Sequence, residues 1–176
     1  MTINTKTLAA IDIGTNAIRL FISNVEEYPT ETLFKKIAFL RVPIRLGEDV
    51  FTTGEIGQQK RKRLCETMQG FSYIMSAFNV ESYKAYATCA MREARNGKSV
   101  AEQIQKECDL NIEIISGTKE AETIFAGGMN EVVDDDKTYL YVDVGGGSTE
   151  VIVYSKSVKI EACSFPLGTV RMLNDA

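Results

Sequence analysis

The stretch Asp143-Val-Gly-Gly-Gly-Ser-Thr-Glu150 follows the apolar run Tyr139-Leu-Tyr-Val142 and leads into Val151-Ile-Val-Tyr154. A strand that delivers a carboxylate and then three glycines lets backbone N–H groups approach a phosphate, because no Cβ stands in the way. The pattern occurs a second time near the start of the chain, as Leu8-Ala-Ala-Ile-Asp12-Ile-Gly14-Thr-Asn-Ala-Ile-Arg19-Leu-Phe-Ile22. In both copies a charged residue stands seven positions after the Asp, Arg19 in one and Glu150 in the other. Each copy reads as a β-hairpin whose tight turn carries the glycine, since β-branched residues flank a Gly/Ser/Thr/Asn cluster on both sides. Two such turns are expected to face each other across a cleft.

Other glycine-loop chemistries fit less well. No Gly-Lys-Ser/Thr follows, and the downstream segment reads as strand, so this is not a Walker loop. A dinucleotide fingerprint would need a sixth-position glycine where Glu150 stands, and a helix to receive the pyrophosphate. An ordinary glycine-rich hairpin turn is the bland alternative, and the second copy weakens it.

Composition narrows the chemistry further. The 176 residues are 44% hydrophobic, enough for a real core, and the net charge of −4 argues against general nucleic-acid binding. If a polyanion is the ligand, it must be held by N–H groups, a few arginines and a metal. The chain has no histidine, so proton transfer falls to Asp, Glu, Lys, Tyr or Cys. Zinc is disfavoured for the same reason, and oxygen ligands beside glycines suggest Mg2+. Cys65, Cys89, Cys108 and Cys163 are scattered without a Cys-x-x-Cys pair, which suits reduced thiols in a cytoplasmic protein. The polar N-terminus lacks signal-peptide features, and no apolar run is long enough to span a membrane.

Periodicity predicts strands at about 8–13, 17–25 and 31–42, then a long amphipathic helix opened by Thr53-Gly-Glu55 and running to about Phe78. Leu64, Met68, Phe71, Ile74 and Met75 form its buried face. A strand at 83–87, a helix at 99–108 and a short strand at 112–115 follow. Ser116-Gly-Thr118 starts another helix, continued by 119–129, and Asp134-Asp-Asp136 is read as a solvated turn. Strands at about 138–143, 149–154 and 158–165 then echo the opening. The order describes one α/β unit over 1–133 and the start of a similar one over 134–176. The chain is accordingly expected to be a piece of a longer protein, inactive in isolation because half of its cleft is missing.

Five ordered motifs carry a family resemblance. They are Asp12-Ile-Gly-Thr-Asn16, Ala87-Thr-Cys-Ala-Met-Arg92-Glu-Ala-Arg-Asn96, Ile115-Ser-Gly-Thr-Lys-Glu120-Ala, Val142-Asp-Val-Gly-Gly-Gly-Ser-Thr-Glu150 and Phe165-Pro-Leu-Gly-Thr-Val-Arg171. In order and spacing the chain resembles the exopolyphosphatase / guanosine pentaphosphate phosphatase family over Leu8 to Arg171. That resemblance implies the superfamily of actin, the heat-shock chaperone ATPases and the sugar kinases. The implied fold is α/β: a ribonuclease-H-like (actin-like ATPase) lobe with a mixed sheet flanked by helices, plus the first strands of a second such lobe.

The resemblance also implies hydrolysis of the terminal phosphoanhydride of polyphosphate or of guanosine pentaphosphate, a stringent-response nucleotide, by Mg2+ and water. The family's catalytic carboxylate matches Glu120, and its motif arginine matches Arg92. Its metal-associated carboxylates match Asp143 and Glu150, and Asp12 is a further metal candidate. The phosphate loops match Gly14, Thr15 and Asn16, and Gly145, Gly146, Gly147 and Ser148. Arg19 joins them by its place in the hairpin. Neither nucleic acid nor membrane is an expected partner, and a homodimer is compatible with the resemblance.

Each role has a structural alternative. Phosphoryl transfer needs positioning, charge neutralisation and one group that orients or deprotonates water. A Glu in a first helical turn otherwise serves the helix dipole, Asp12 and Asp143 otherwise cap their turns, and Arg92 otherwise forms a salt bridge. Its fork nevertheless suits phosphate oxygens. The family commonly has two adjacent acidic residues after Ser-Gly-x, whereas Lys119 precedes Glu120 here. A lysine there is expected to lower the Glu120 pKa or to touch phosphate. Two rival functions are a non-catalytic polyphosphate or alarmone sensor and an ATP-dependent kinase or ATPase. The latter needs an adenosine pocket that lies beyond this chain, and the Ser-Gly-x-x-Glu-Ala motif favours the phosphatase.

Overall fold

The computed structural model describes residues 4–126, 137–156 and 158–174. Strands β1 (Asn4–Ile13), β2 (Ile18–Glu27) and β3 (Thr32–Val42) form an antiparallel meander. Helices α1 (Leu46–Thr53) and α2 (Gln58–Ala77) cross over to β4 (Ser82–Ala87), which pairs parallel to β1. After α3 (Cys89–Glu93) and α4 (Gly97–Cys108), the two-residue β5 (Glu113–Ile114) pairs parallel to β4. The resulting sheet has the order β3-β2-β1-β4-β5.

Alternation along β2 explains how this sheet takes its helices. Ile18, Leu20 and Ile22 are fully buried, while Arg19 and Phe21 look to the other face. The buried set joins Ile11, Ile13 and Ala87 against Leu64, Met68 and Phe71 of α2 and Val100 and Ile104 of α4 in one core. Each Ile, Leu, Val, Met or Phe side chain withdrawn from water contributes ~1.5–3 kcal/mol. The opposite face of the sheet is left for the cleft.

Helix α5 (Gly117–Ala126) leads to a second, antiparallel sheet of β6 (Thr138–Val144), β7 (Thr149–Ser155) and β8 (Val158–Phe165), followed by α6 (Thr169–Asn174). Ala121 of α5 packs on Ile152 and Tyr154 of β7, both buried. The chain thus has one ribonuclease-H-like mixed sheet with flanking helices and a second three-stranded sheet, as expected.

Three helices were not anticipated: α1, α3 and, after the last strand, α6. The expected start of the long helix at Thr53-Gly-Glu55 is instead the end of α1 and its link to α2, with Gly54 in the left-handed conformation at φ 77°. The segment before the 99–108 helix holds α3, and α4 begins two residues earlier than the serine. Asp134-Asp-Asp136, the 133/134 boundary and the end of the 119–129 helix lie outside the described residues. Among the described residues, no helix is long and apolar enough to cross a membrane.

Candidate phosphate site

The two glycine hairpins have the same construction. Asp12 is the cross-strand partner of Arg19, and Asp143 of Glu150, so the spacing of seven is the register of each hairpin. The Gly14 N–H donates to the Ala17 carbonyl at 3.1 Å, and the Gly145 N–H to the Ser148 carbonyl at 2.9 Å. A Cβ on either glycine would stand 3.1 Å from that same carbonyl oxygen.

The carbonyls of each turn are occupied by the helix that follows. Those of Thr15 and Asn16 accept from the Gly47 and Arg45 N–H groups at the start of α1. Those of Gly145 and Gly146 accept from Thr169, Val170 and Arg171 at the start of α6. Among the described residues, the N–H groups of Thr15, Asn16, Gly146 and Gly147 donate no hydrogen bond to a backbone carbonyl.

Thr15 lets the two turns meet. A Cβ on Gly47 would collide with its Cγ2, one on Gly146 would lie 3.0 Å from it, and one on Gly147 would lie 2.9 Å from its Oγ1. Close approach calls for glycine at Gly47 and Gly147, and leaves only a tight fit at Gly146.

A cleft of about 650 Å³ runs between the turns. It is lined by Asp12, Gly14, Thr15, Asn16 and Arg19 from one hairpin and by Asp143, Gly145, Gly146, Gly147, Ser148 and Glu150 from the other. Glu120, Phe21, Phe39 and Tyr86 line it too. Every site residue expected from sequence therefore reaches one cleft except Arg92, which stands behind Glu120.

Ser116 places Glu120. Its hydroxyl accepts the Lys119 N–H at 3.2 Å and its carbonyl accepts the Glu120 N–H at 2.9 Å, which starts α5. Arg92 Nη1 then donates to Glu120 Oε2 at 3.2 Å and to the Ile115 carbonyl at 2.9 Å. Burial, and next the Glu150 charge, push the Glu120 carboxyl up to about 7 against the pull of Arg92. The expectation that Lys119 lowers this value is overturned. Lys119 Nζ turns to Glu113 at 2.7 Å and lies 5.6 Å from the Tyr86 ring centre, and it is not among the causes of the shift.

The other carboxylates differ in their company. Asp12 is salt-bridged to Arg19, yet burial above all, with the Asp143 charge adding, raises its pKa against that pairing. Glu150 is 1% exposed and accepts the Ser164 hydroxyl at 2.8 Å. Asp143 forms no ion pair among the described residues. No three of the described His, Cys, Asp and Glu side chains converge to hold a metal by themselves. The carboxylates of Asp143, Glu150 and Asp12 supply hard oxygen donors of the kind Mg2+ takes, and they do not form an all-protein cage.

Sequence reasoning gave no role to Ser164, Glu93 or Arg171. The sequence did show Arg171 inside the fifth motif, without a partner to explain it.

Two sheets bearing equivalent Asp-x-Gly turns on either side of one cleft define an actin-like fold. The chain matches the model of the Ppx/GppA phosphatase family over residues 13–176, and it belongs to that family. It is 32% identical over 168 residues to a bifunctional 3-dehydroquinate synthase/phosphatase of Fusobacterium nucleatum, covering 93% of this chain and 25% of that protein. A putative exopolyphosphatase of Haemophilus influenzae is 28% identical, over 95% of this chain and 50% of its own length. The crystal structure of an exopolyphosphatase from Cytophaga hutchinsonii superposes with a TM-score of 0.87 at 29% identity, covering 97% of this chain and 54% of that one. The chain thus spans half or less of the length of these curated relatives.

Proposed function

We propose that the protein hydrolyses the terminal phosphoanhydride of inorganic polyphosphate, with Glu120 as the base for water. The observation that carries this reading is the placement of a carboxyl raised to about 7 opposite two equivalent turns with spare N–H donors. A base poised near neutrality can take a proton from water and yet be half ionised at working pH. The turns hold phosphate oxygens through N–H groups, and Arg92 keeps Glu120 in place. Asp143, with Glu150 and Asp12 near it, is the proposed location for Mg2+. When bound, the ion would neutralise charge on phosphate oxygens.

Guanosine pentaphosphate is a second proposed substrate. Phe21, Phe39 and Tyr86 line the same cleft and offer rings on which a guanine can stack, which an inorganic chain does not need. The exopolyphosphatase names of the relatives support polyphosphate first. Four free cysteines suit a reducing compartment, in keeping with a cytoplasmic protein.

Phosphate release by the full-length protein from long polyphosphate, guanosine pentaphosphate and ATP, with and without Mg2+, tests the reading. Magnesium-dependent release from the first two and little from ATP is expected. Binding of polyphosphate without release would replace the hydrolase by a sensor.

A further inference from the structure

Helix α3 carries two adjacent side chains that reach in different directions. Arg92 holds Glu120 on α5, and Glu93 holds Arg171 on α6. Arg171 Nη2 donates to both Glu93 oxygens, at 2.7 and 2.6 Å, while its Nε donates to the Gly147 carbonyl at 2.9 Å. Its guanidinium carbon lies 4.2 Å from the Phe51 ring centre, and Nη2 also approaches Cys89 Sγ at 3.6 Å.

The side chain of Arg171 is 19% exposed and that of Glu93 38%, so the carboxylate is partly solvated while the guanidinium is largely enclosed. A planar, multiply bonded and stacked guanidinium is a geometry that lysine cannot reproduce. The contacts also join elements far apart in the chain: Glu93 and Arg171 are 78 residues apart.

We infer that Arg171 is a positioning residue, latching the Gly145-Gly-Gly-Ser148 turn to α3 through Glu93 and so fixing the turn relative to Glu120. One short helix then sets both halves of the site. The Arg92 contact sets the carboxylate, and the Glu93–Arg171–Gly147 chain sets the phosphate donors. Its kinetic consequence rests on the hydrolytic reading above, whereas its structural consequence does not.

The test uses Glu93→Gln, Arg171→Lys, Arg171→Gln and the double variant Glu93→Gln/Arg171→Gln of the full-length protein. Hydrogen exchange reads the amides of Thr169, Val170 and Arg171, which are bonded to the turn. Exchange there is expected to rise ~10-fold or more in each single glutamine variant, with the double no worse than Arg171→Gln, as for coupled residues. Arg171→Lys is expected to rescue little. In phosphate release, KM should rise ~10-fold with a smaller change in kcat and an unmoved acid limb, because the turn binds phosphate in ground and transition states alike. Should Arg171→Gln fail to fold, Glu93→Gln alone carries the test. Unchanged exchange, additive effects or full rescue by lysine would overturn the latch. Exchange remains readable if the protein proves to release no phosphate, so the two readings fail separately.

Discussion

Arg92 donates to Glu120 at 3.2 Å and to the Ile115 carbonyl at 2.9 Å, so the guanidinium is fixed by backbone before it touches the carboxylate. The pair is not a simple neutralised salt bridge. Burial and the Glu150 charge outweigh Arg92 and leave Glu120 titrating near neutrality.

The first prediction concerns pH and rate. Glu120 must be ionised to accept a proton, so kcat/KM should rise with pH through about 7 and level off above it. Arg92 pulls the Glu120 pKa down, so Arg92→Gln should move that limb to higher pH. A pH–rate profile of the two proteins checks both, and a limb that stays put would show that Arg92 does not act on the base.

Stability should carry the opposite pH signature. The folded-state pKa of Glu120 is raised from 4.5 to about 7, so the stability it contributes is full below 4.5 and is lost as pH rises through about 7. Glu120→Gln should therefore be more stable than the native protein at pH 8 by ~2 kcal/mol, allowing for partial exposure of the carboxyl. The difference should vanish at pH 4. Thermal melts at the two pH values measure it.

The meeting of the turns can be probed sterically. A Cβ on Gly147 would stand 2.5 Å from Cys89 Sγ, 2.7 Å from Phe51 Cζ and 2.9 Å from Thr15 Oγ1. Gly147→Ala should cost ~1–3 kcal/mol, as overpacking of a close contact does. Adding Cys89→Ala should recover part of the loss and no more, since Phe51 and Thr15 remain. Denaturant unfolding of the single and double variants decides this.

Ser164 gives a fourth test. Its hydroxyl donates to the buried Glu150 carboxylate at 2.8 Å, and removal leaves that oxygen short of a partner. Ser164→Ala should destabilise by ~1–3 kcal/mol. A loss within 0.3 kcal/mol, roughly the error of such measurements, would mean that water replaces the hydroxyl fully.

What could be read from the sequence was local and periodic. The seven-residue spacing of Asp12 and Arg19, and of Asp143 and Glu150, is a hairpin register, and a register is written in consecutive residues. Ser116 as the start of α5 was legible for the same reason. Helix α1 was hidden because it begins after Arg45 in a left-handed conformation, φ 58°, with no side-chain cap. Its Thr52 and Thr53 bond back to the Glu48 and Asp49 carbonyls. Helix α3, five residues long, is too short to show a period. Lys119 misled because adjacency in sequence is not contact on a helix: Glu120 turns into the cleft, while Lys119 meets Glu113 across the loop. The Arg92–Glu120 and Glu93–Arg171 pairs are set by tertiary packing, 28 and 78 residues apart, and no local pattern encodes them.

The most direct measurement is phosphate release from long polyphosphate by the full-length protein and its Glu120→Gln variant, with polyphosphate binding measured on both. Hydrolysis by Glu120 predicts a loss of ~100-fold or more in release, the scale of general-base catalysis, with binding retained. Release by Glu120→Gln at the native rate would contradict it.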